Sequence, residues 1–218
     1  MANNPIFYID PDGRGVFPSQ EELRKAGQQV TSNSQYQRTY IVSENKWQTY
    51  CNYGEQAIMK AAGDETLLGL ANDMGQKLRD TEFATLLTQQ EALDYANQGV
   101  TVIASSLSTS GSGHVAIVAP GDELTYSGSR KEYVVNVFNV GKNNGEMGLG
   151  YAFGTVEVGL FILNSDLHTL QNNSMQTTPN QNNAVISQSP DLKLSERLQS
   201  NRVPIVKTLG EIVGAFGY

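Results

Sequence analysis

Residues 113–121, Gly113-His114-Val115-Ala116-Ile117-Val118-Ala119-Pro120-Gly121, set a histidine at the head of an apolar run that stops at a Pro-Gly turn. A run of this length between turn signals reads as a buried strand with the imidazole at its start. The same short-strand pattern surrounds it. Val100–Ala104 lies upstream, Tyr133–Val140 and Thr155–Leu163 lie downstream, and Gly/Ser/Asn-rich turns separate them.

Before Gly99 the period is helical. After Cys51, residues Ala57, Ile58, Ala61 and Ala62 recur at helical spacing and stop at Gly63, which suits a left-handed C-terminal position. Asp64 then predicts the cap of a second helix, with Leu67, Leu68, Leu70, Ala71, Met74 and Leu78 as its apolar stripe. Thr88-Gln89-Gln90-Glu91 has the capping-box pattern of a third, which ends at Gln98-Gly99. Helices first and an antiparallel meander after them predict an α+β domain, with the helices packed on one sheet.

The expected organisation has four parts. Residues 1–46 form a lead-in, with a turn-rich start at Asp10–Gly15, a short charged helix around Glu21–Lys25 and an extended Tyr40-Ile41-Val42. Residues 47–163 form the main domain. Residues 164–190 are rich in Asn and Gln and read as a linker, too poor in apolar surface to offset the entropy of ordering. Residues 191–218 form a helical tail whose stripe, Ile205, Val206, Leu209, Ile212, Val213 and Phe216, is expected to dock on protein.

Composition narrows the function. At 218 residues the chain suits one domain with appendages, and its net charge of −7 excludes a nucleic-acid binder, which needs a basic stripe to displace counterions. One cysteine forms no internal disulfide, and with two histidines it offers no zinc-ligand spacing, so neither metal nor cofactor is expected. The amino terminus lacks the basic region and apolar core of a secretory signal, and no window approaches the length of a membrane span. The expectation is synthesis in the cytoplasm, with release by lysis or a dedicated secretion system, and no stable membrane insertion.

The chemistry concentrates in Trp47-Gln48-Thr49-Tyr50-Cys51-Asn52-Tyr53 and in His114. A helix N-terminus and a neighbouring imidazolium both favour thiolate, so together they can make a nucleophile at neutral pH. Cys51 and His114 stand 63 positions apart, and only packing of the Cys51 helix across the sheet can join them. The blander reading is a buried hydrophobic thiol and a satisfied strand-edge histidine. The other histidine, His168, heads the polar tail and reads as surface.

A catalytic base needs a third group to hold its ring. Asn136 and Asn139 are separated by an odd number and face opposite sides of a strand, so only one can meet the histidine. Asn139, nearer the strand end and the sheet rim, is the choice.

Cys51-Asn52 at a helix start, Gly113–Gly121, and Phe138-Asn139-Val140-Gly141 together resemble the NlpC/P60 and CHAP superfamily of papain-like cysteine peptidases and amidases over about residues 45–163. The resemblance implies a papain-like fold that cleaves peptidoglycan within the stem peptide or at the glycan–peptide junction. Carried over by position, Cys51 is the nucleophile, His114 the base and Asn139 the polar orienter. The oxyanion would rest on the Cys51 backbone N–H and one further donor, Gln48 or the Tyr50 hydroxyl. Trp47 and Tyr50 otherwise read as packing beneath the helix.

One departure is Tyr53-Gly54-Glu55, where many members carry a bulky apolar pair. Gly54 costs the helix about 1 kcal/mol relative to Ala, and is read as making room for substrate or for Tyr53. Two rivals remain at this point: a non-catalytic binding or virion structural module on the same fold, and a thiol peptidase or deamidase acting on proteins.

Overall fold

Ser19 and Glu22 close a capping box that starts α1 (Gln20–Ser32), so the charged segment near residue 21 is the first turn of a longer helix. The computed structural model that shows this describes residues 17–63 and 67–176. A hairpin follows, β1 (Thr39–Ile41) against β2 (Lys46–Gln48), with Asn45 in left-handed conformation at its turn. It delivers the chain to α2 (Cys51–Ala61), which ends at Ala62 with Gly63 at φ 86°, the left-handed stop that the spacing predicted.

The second helix differs from expectation. It forms only as α3 (Ala71–Lys77), because Gly69 adopts φ 133°, which a helix cannot continue through. Leu68 and Leu70 are exposed, and the expected cap at Asp64 lies outside the described residues. After β3 (Ala84–Leu87), the box of Thr88 with Glu91 opens α4 (Gln89–Asn97), and Gly99 at φ 82° closes it.

The strands β4 (Val102–Ser106) and β5 (His114–Val118) stand close to where the pattern put them. The run Tyr133–Val140 divides. Its start pairs as β7 (Glu132–Val134) with β6 (Thr125–Ser127), and its end becomes β8 (Asn136–Asn139). The break falls at Val135, whose N–H goes to Gln89 Oε1 and whose carbonyl accepts the Leu149 N–H. Neither bond is a strand bond, so the ladder is interrupted there.

Next come β9 (Gly145–Gly148), α5 (Leu149–Phe153) and β10 (Gly159–Leu163). The main sheet has six antiparallel strands in the order β3-β10-β4-β5-β8-β9. This is not the simple meander of the sequence reading, since β10 returns to lie between β3 and β4. The last described element is α6 (Asn164–Gln176), a helix where the composition suggested that a linker begins. The tail expected over 191–218 lies outside the described residues.

Strand alternation sorts the interior into two cores. Ile103, Val115, Ile117, Phe138 and Phe161 face α1, α2 and α3, whereas Val102, Ala104, Ala116, Val118, Val137 and Leu160 face α4 and α5. The lead-in belongs to the first core: Leu23, Ala26 and Val30 are buried with Cys51 and Phe138. Gly27 is required there, because a Cβ would stand 2.2 Å from the Phe138 ring. Arg24 pairs with Glu146 at 2.9 Å, and Asn144 Nδ2 donates to the Tyr36 carbonyl at 3.0 Å, tying the lead-in to β9 and its turn.

Candidate functional site

Cys51 is the first residue of α2, and its N-cap, Tyr50, supplies no side-chain acceptor for the first-turn amides. The amides of Cys51 and Asn52 act on the sulfur instead, joined by the Val115 N–H from β5. Pairing between β5 and β8 covers only Ile117↔Phe138 and Val118↔Val137, so the sulfur meets β5 beyond the end of that ladder.

Gly54 allows this approach. A Cβ there would lie 2.4 Å from Val140 Cγ2, so the missing side chain admits the sheet, not substrate or Tyr53 as the sequence reading had it. Tyr53 is exposed.

The sulfur's environment differs from the expectation of a readily ionised thiol. Cys51 is buried, and burial pushes its pKa up, while the Val115, Asn52 and Cys51 amides pull it down by favouring thiolate. Glu55, one turn along α2 and only 1 % exposed, pushes it up further by charge repulsion. Desolvation is the largest of these effects.

His114, the first residue of β5, faces Asn139, the last of β8. Its Nε2 lies 2.6 Å from Asn139 Oδ1. Asn139 Nδ2 donates to the Asn143 carbonyl, which orients the amide with its oxygen toward the ring. Nε2 must therefore carry the hydrogen and donate, leaving the Nδ1 lone pair free to take a proton. Phe153 packs against the imidazole with centroids 4.6 Å apart, and burial pushes the His114 pKa down while the Asn139 bond opposes it. Gly141 completes the fit, since a Cβ there would stand 3.2 Å from His114 Cε1.

Three expected residues thus meet at one rim of the sheet, from different sides. Cys51 packs in the core of Val115 and Val140, whereas alternation puts His114 and Asn139 on the side of Ala116 and Val137. Among the described residues no hydrogen bond joins thiol to imidazole; the sulfur is held at the amide one residue beyond His114.

Gln48 and Tyr50 flank the approach to α2. Gln48 is half-buried at the end of β2, and Tyr50 lies half-buried with its ring 6.3 Å from that of Tyr53. Neither side chain hydrogen-bonds the thiol. Trp47 does not pack beneath the helix: it is 55 % exposed, with Tyr40 at 5.2 Å and the Arg38 guanidinium at 4.3 Å. His168 is exposed on α6, as its polar surroundings suggested.

Sequence reasoning missed Asn143 and Phe153, and it quoted Gly141 and Glu55 within longer motifs without giving either a role. The turn signal Asn143-Asn144-Gly145 was available for the first of these. Phe153 shows no local pattern that separates it from ordinary helix residues.

The chain matches no protein-family model and no curated protein.

Proposed function

We propose that this chain is a thiol-dependent amide hydrolase of papain-like type that acts on peptidoglycan. The observation that carries the reading is the oriented base: a buried asparagine holds His114 by Nε2, leaving Nδ1 as proton acceptor, on the strand whose next amide contacts Cys51. The arrangement α2-then-strand, with Cys51 at the helix start and His114 at the strand start, also suits the resemblance to NlpC/P60 and CHAP enzymes, which supplies the substrate class.

In the first step the Cys51 sulfur attacks an amide carbonyl as Nδ1 of His114 takes the thiol proton, forming the C–S bond. The tetrahedral oxyanion rests on the Cys51 backbone N–H and a second donor, Gln48 or Tyr50. The C–N bond then breaks as the imidazolium protonates the leaving amine, and water, deprotonated by the same ring, releases the acid and restores the thiol. Burial pushes both partners toward their neutral forms, so proton transfer accompanies attack. Hydrogen bonds of this kind are commonly long in ligand-free sites and tighten around substrate.

The test is digestion of isolated peptidoglycan by the wild type and by Cys51→Ala, with fragments read by mass spectrometry. New amine-terminated fragments from the wild type alone support the proposal and identify the bond. An Asn139→Ala variant is expected to lose activity on the order of 100-fold through the misdirected ring. Intact walls in every case, alongside cleavage or deamidation of a protein substrate, would move the activity to proteins.

A second reading has an observation of its own. Cys51 is only 6 % exposed and hydrogen-bonds no imidazole, which suits a binding or structural module that retains the fold without the chemistry.

A further inference from the structure

His114 follows Ser108-Thr109-Ser110-Gly111-Ser112-Gly113, six small residues with little packing of their own to fix where the strand begins. A base at the end of such a loop needs something else to set its position. Asn72, at the start of α3, reaches into this loop with both donors of its amide group and its carbonyl oxygen.

Its Nδ2 donates to the carbonyls of Ser108 at 3.1 Å and Gly111 at 2.9 Å, and its Oδ1 accepts the Ser108 N–H at 3.0 Å. One side chain thereby ties both ends of a four-residue turn. The fit continues to the residue before the histidine: a Cβ on Gly113 would stand 2.4 Å from Asn72 Oδ1 and 2.7 Å from the Ser106 carbonyl. His114 itself pairs across the ladder with Ser106.

The chain just before α3 is tied to the thiol's helix. Asn52, the residue after Cys51, donates through Nδ2 to the Gly69 carbonyl at 3.0 Å, and Gln56 donates to the same oxygen at 3.1 Å. A run of side-chain amides thus leads from the neighbour of Cys51, through Gly69 and Asn72, to the neighbour of His114.

We infer that Asn72 is a positioning residue for His114, setting the ring against Asn139 and in register with the Cys51 helix; the inference rests on the thiol-hydrolase reading. The amide is chemically specific to the task. Only a carboxamide offers the two donors and the acceptor that this turn uses; aspartate keeps the acceptor and loses both donors.

The test uses the full chain labelled with 15N-histidine, whose two imidazoles, His114 and His168, are separated by a His114→Ala control. Wild-type His114 is expected as the Nε2–H tautomer in long-range proton–nitrogen spectra. Asn72→Ala and Asn72→Asp are expected to give a tautomer mixture at His114. They should also slow alkylation of Cys51 by iodoacetamide on the order of 10- to 100-fold toward the His114→Ala rate. Gly113→Ala, which pushes on Asn72 from the other side, should act in the same direction if the Asn72 variants fail to fold.

Ile162→Ala, a truncation on β10, which β4 separates from β5, controls for lost stability alone and should leave both readouts unchanged. If Asn72→Ala keeps the wild-type tautomer and alkylation rate while His114→Ala is slow, the positioning role is overturned. If His114→Ala reacts as fast as wild type, it is the hydrolase reading that fails.

Discussion

The two faces of the six-stranded sheet are built from the same strands and have different interiors. Toward α4 and α5 the hydrophobic cluster, among it Leu93, Val118, Val137 and Phe153, meets polar groups only at its rim, where alternation puts His114 and the buried Asn139. Toward α1, α2 and α3 the core also contains a thiol, with Asn52 and Glu55 buried on the same helix and Ser105 buried on β4. An apolar face needs only shape and volume, whereas each buried polar group must also be matched to a partner. The candidate site lies where the faces end, at a rim to which one contributes the thiol and the other the imidazole with its asparagine.

The first way to break this comparison is to hollow out each face. Phe138→Ala on the thiol side is expected to cost about 3–5 kcal/mol, and Leu93→Ala on the other about 2–5 kcal/mol, by urea denaturation. If Phe138→Ala costs well under the lower figure, the thiol face is loosely packed and the contrast drawn above is one of packing, not polarity.

Gly54→Ala probes the approach of α2 to the sheet. Overpacking against Val140 is expected to cost about 1–3 kcal/mol, partly offset by about 1 kcal/mol of helix propensity. Thermal denaturation measures the net loss, and iodoacetamide reactivity of Cys51 reports whether the sulfur has moved from the Val115 amide. A variant that is more stable than wild type would show that the close approach is not needed.

A smaller effect is the pH response, which has a different sign for each side of the rim. His114 has a depressed pKa in the fold, so the unfolded chain binds more protons. Stability is present above the ordinary imidazole value and lost as pH falls through the folded one. Cys51 has a raised pKa, so its contribution is present below the ordinary thiol value and lost as pH rises through the folded one. Stability against pH should be a dome. His114→Ala should flatten the acid flank and Cys51→Ala the alkaline flank in chemical denaturation at fixed pH values.

The smallest effect is expected at Ser105, whose hydroxyl is fully buried and finds no hydrogen-bond partner among the described residues. Ser105→Ala should leave stability within about 1 kcal/mol of wild type, with any shift toward greater stability. A larger loss would mean that the hydroxyl has work to do on the polar face.

Much of the local structure was legible. The capping box at Thr88 and the glycine stop at Gly63 are written in adjacent residues because the bonds they make span three or four positions. The odd spacing of Asn136 and Asn139 allowed only one of them to meet the histidine, and Asn139 is the one that does. The extent of the second helix was not legible, since Gly69 breaks it in a left-handed conformation whose carbonyl is held by α2 side chains. The insertion of β10 beside β4 was equally hidden, because apolar periodicity marks a strand without naming its neighbours.

By itself the sequence determined which residues could carry thiol and imidazole chemistry, where most helices start or stop, and which asparagine was available to orient a ring. These follow from side-chain chemistry and from hydrogen bonds between near neighbours. Tertiary structure alone decided that Gly54 makes room for Val140, that Asn143 and Phe153 frame the histidine pair, and that burial outweighs the helix amides at Cys51. Those outcomes depend on desolvation and close contact between segments tens of residues apart, which no local pattern encodes.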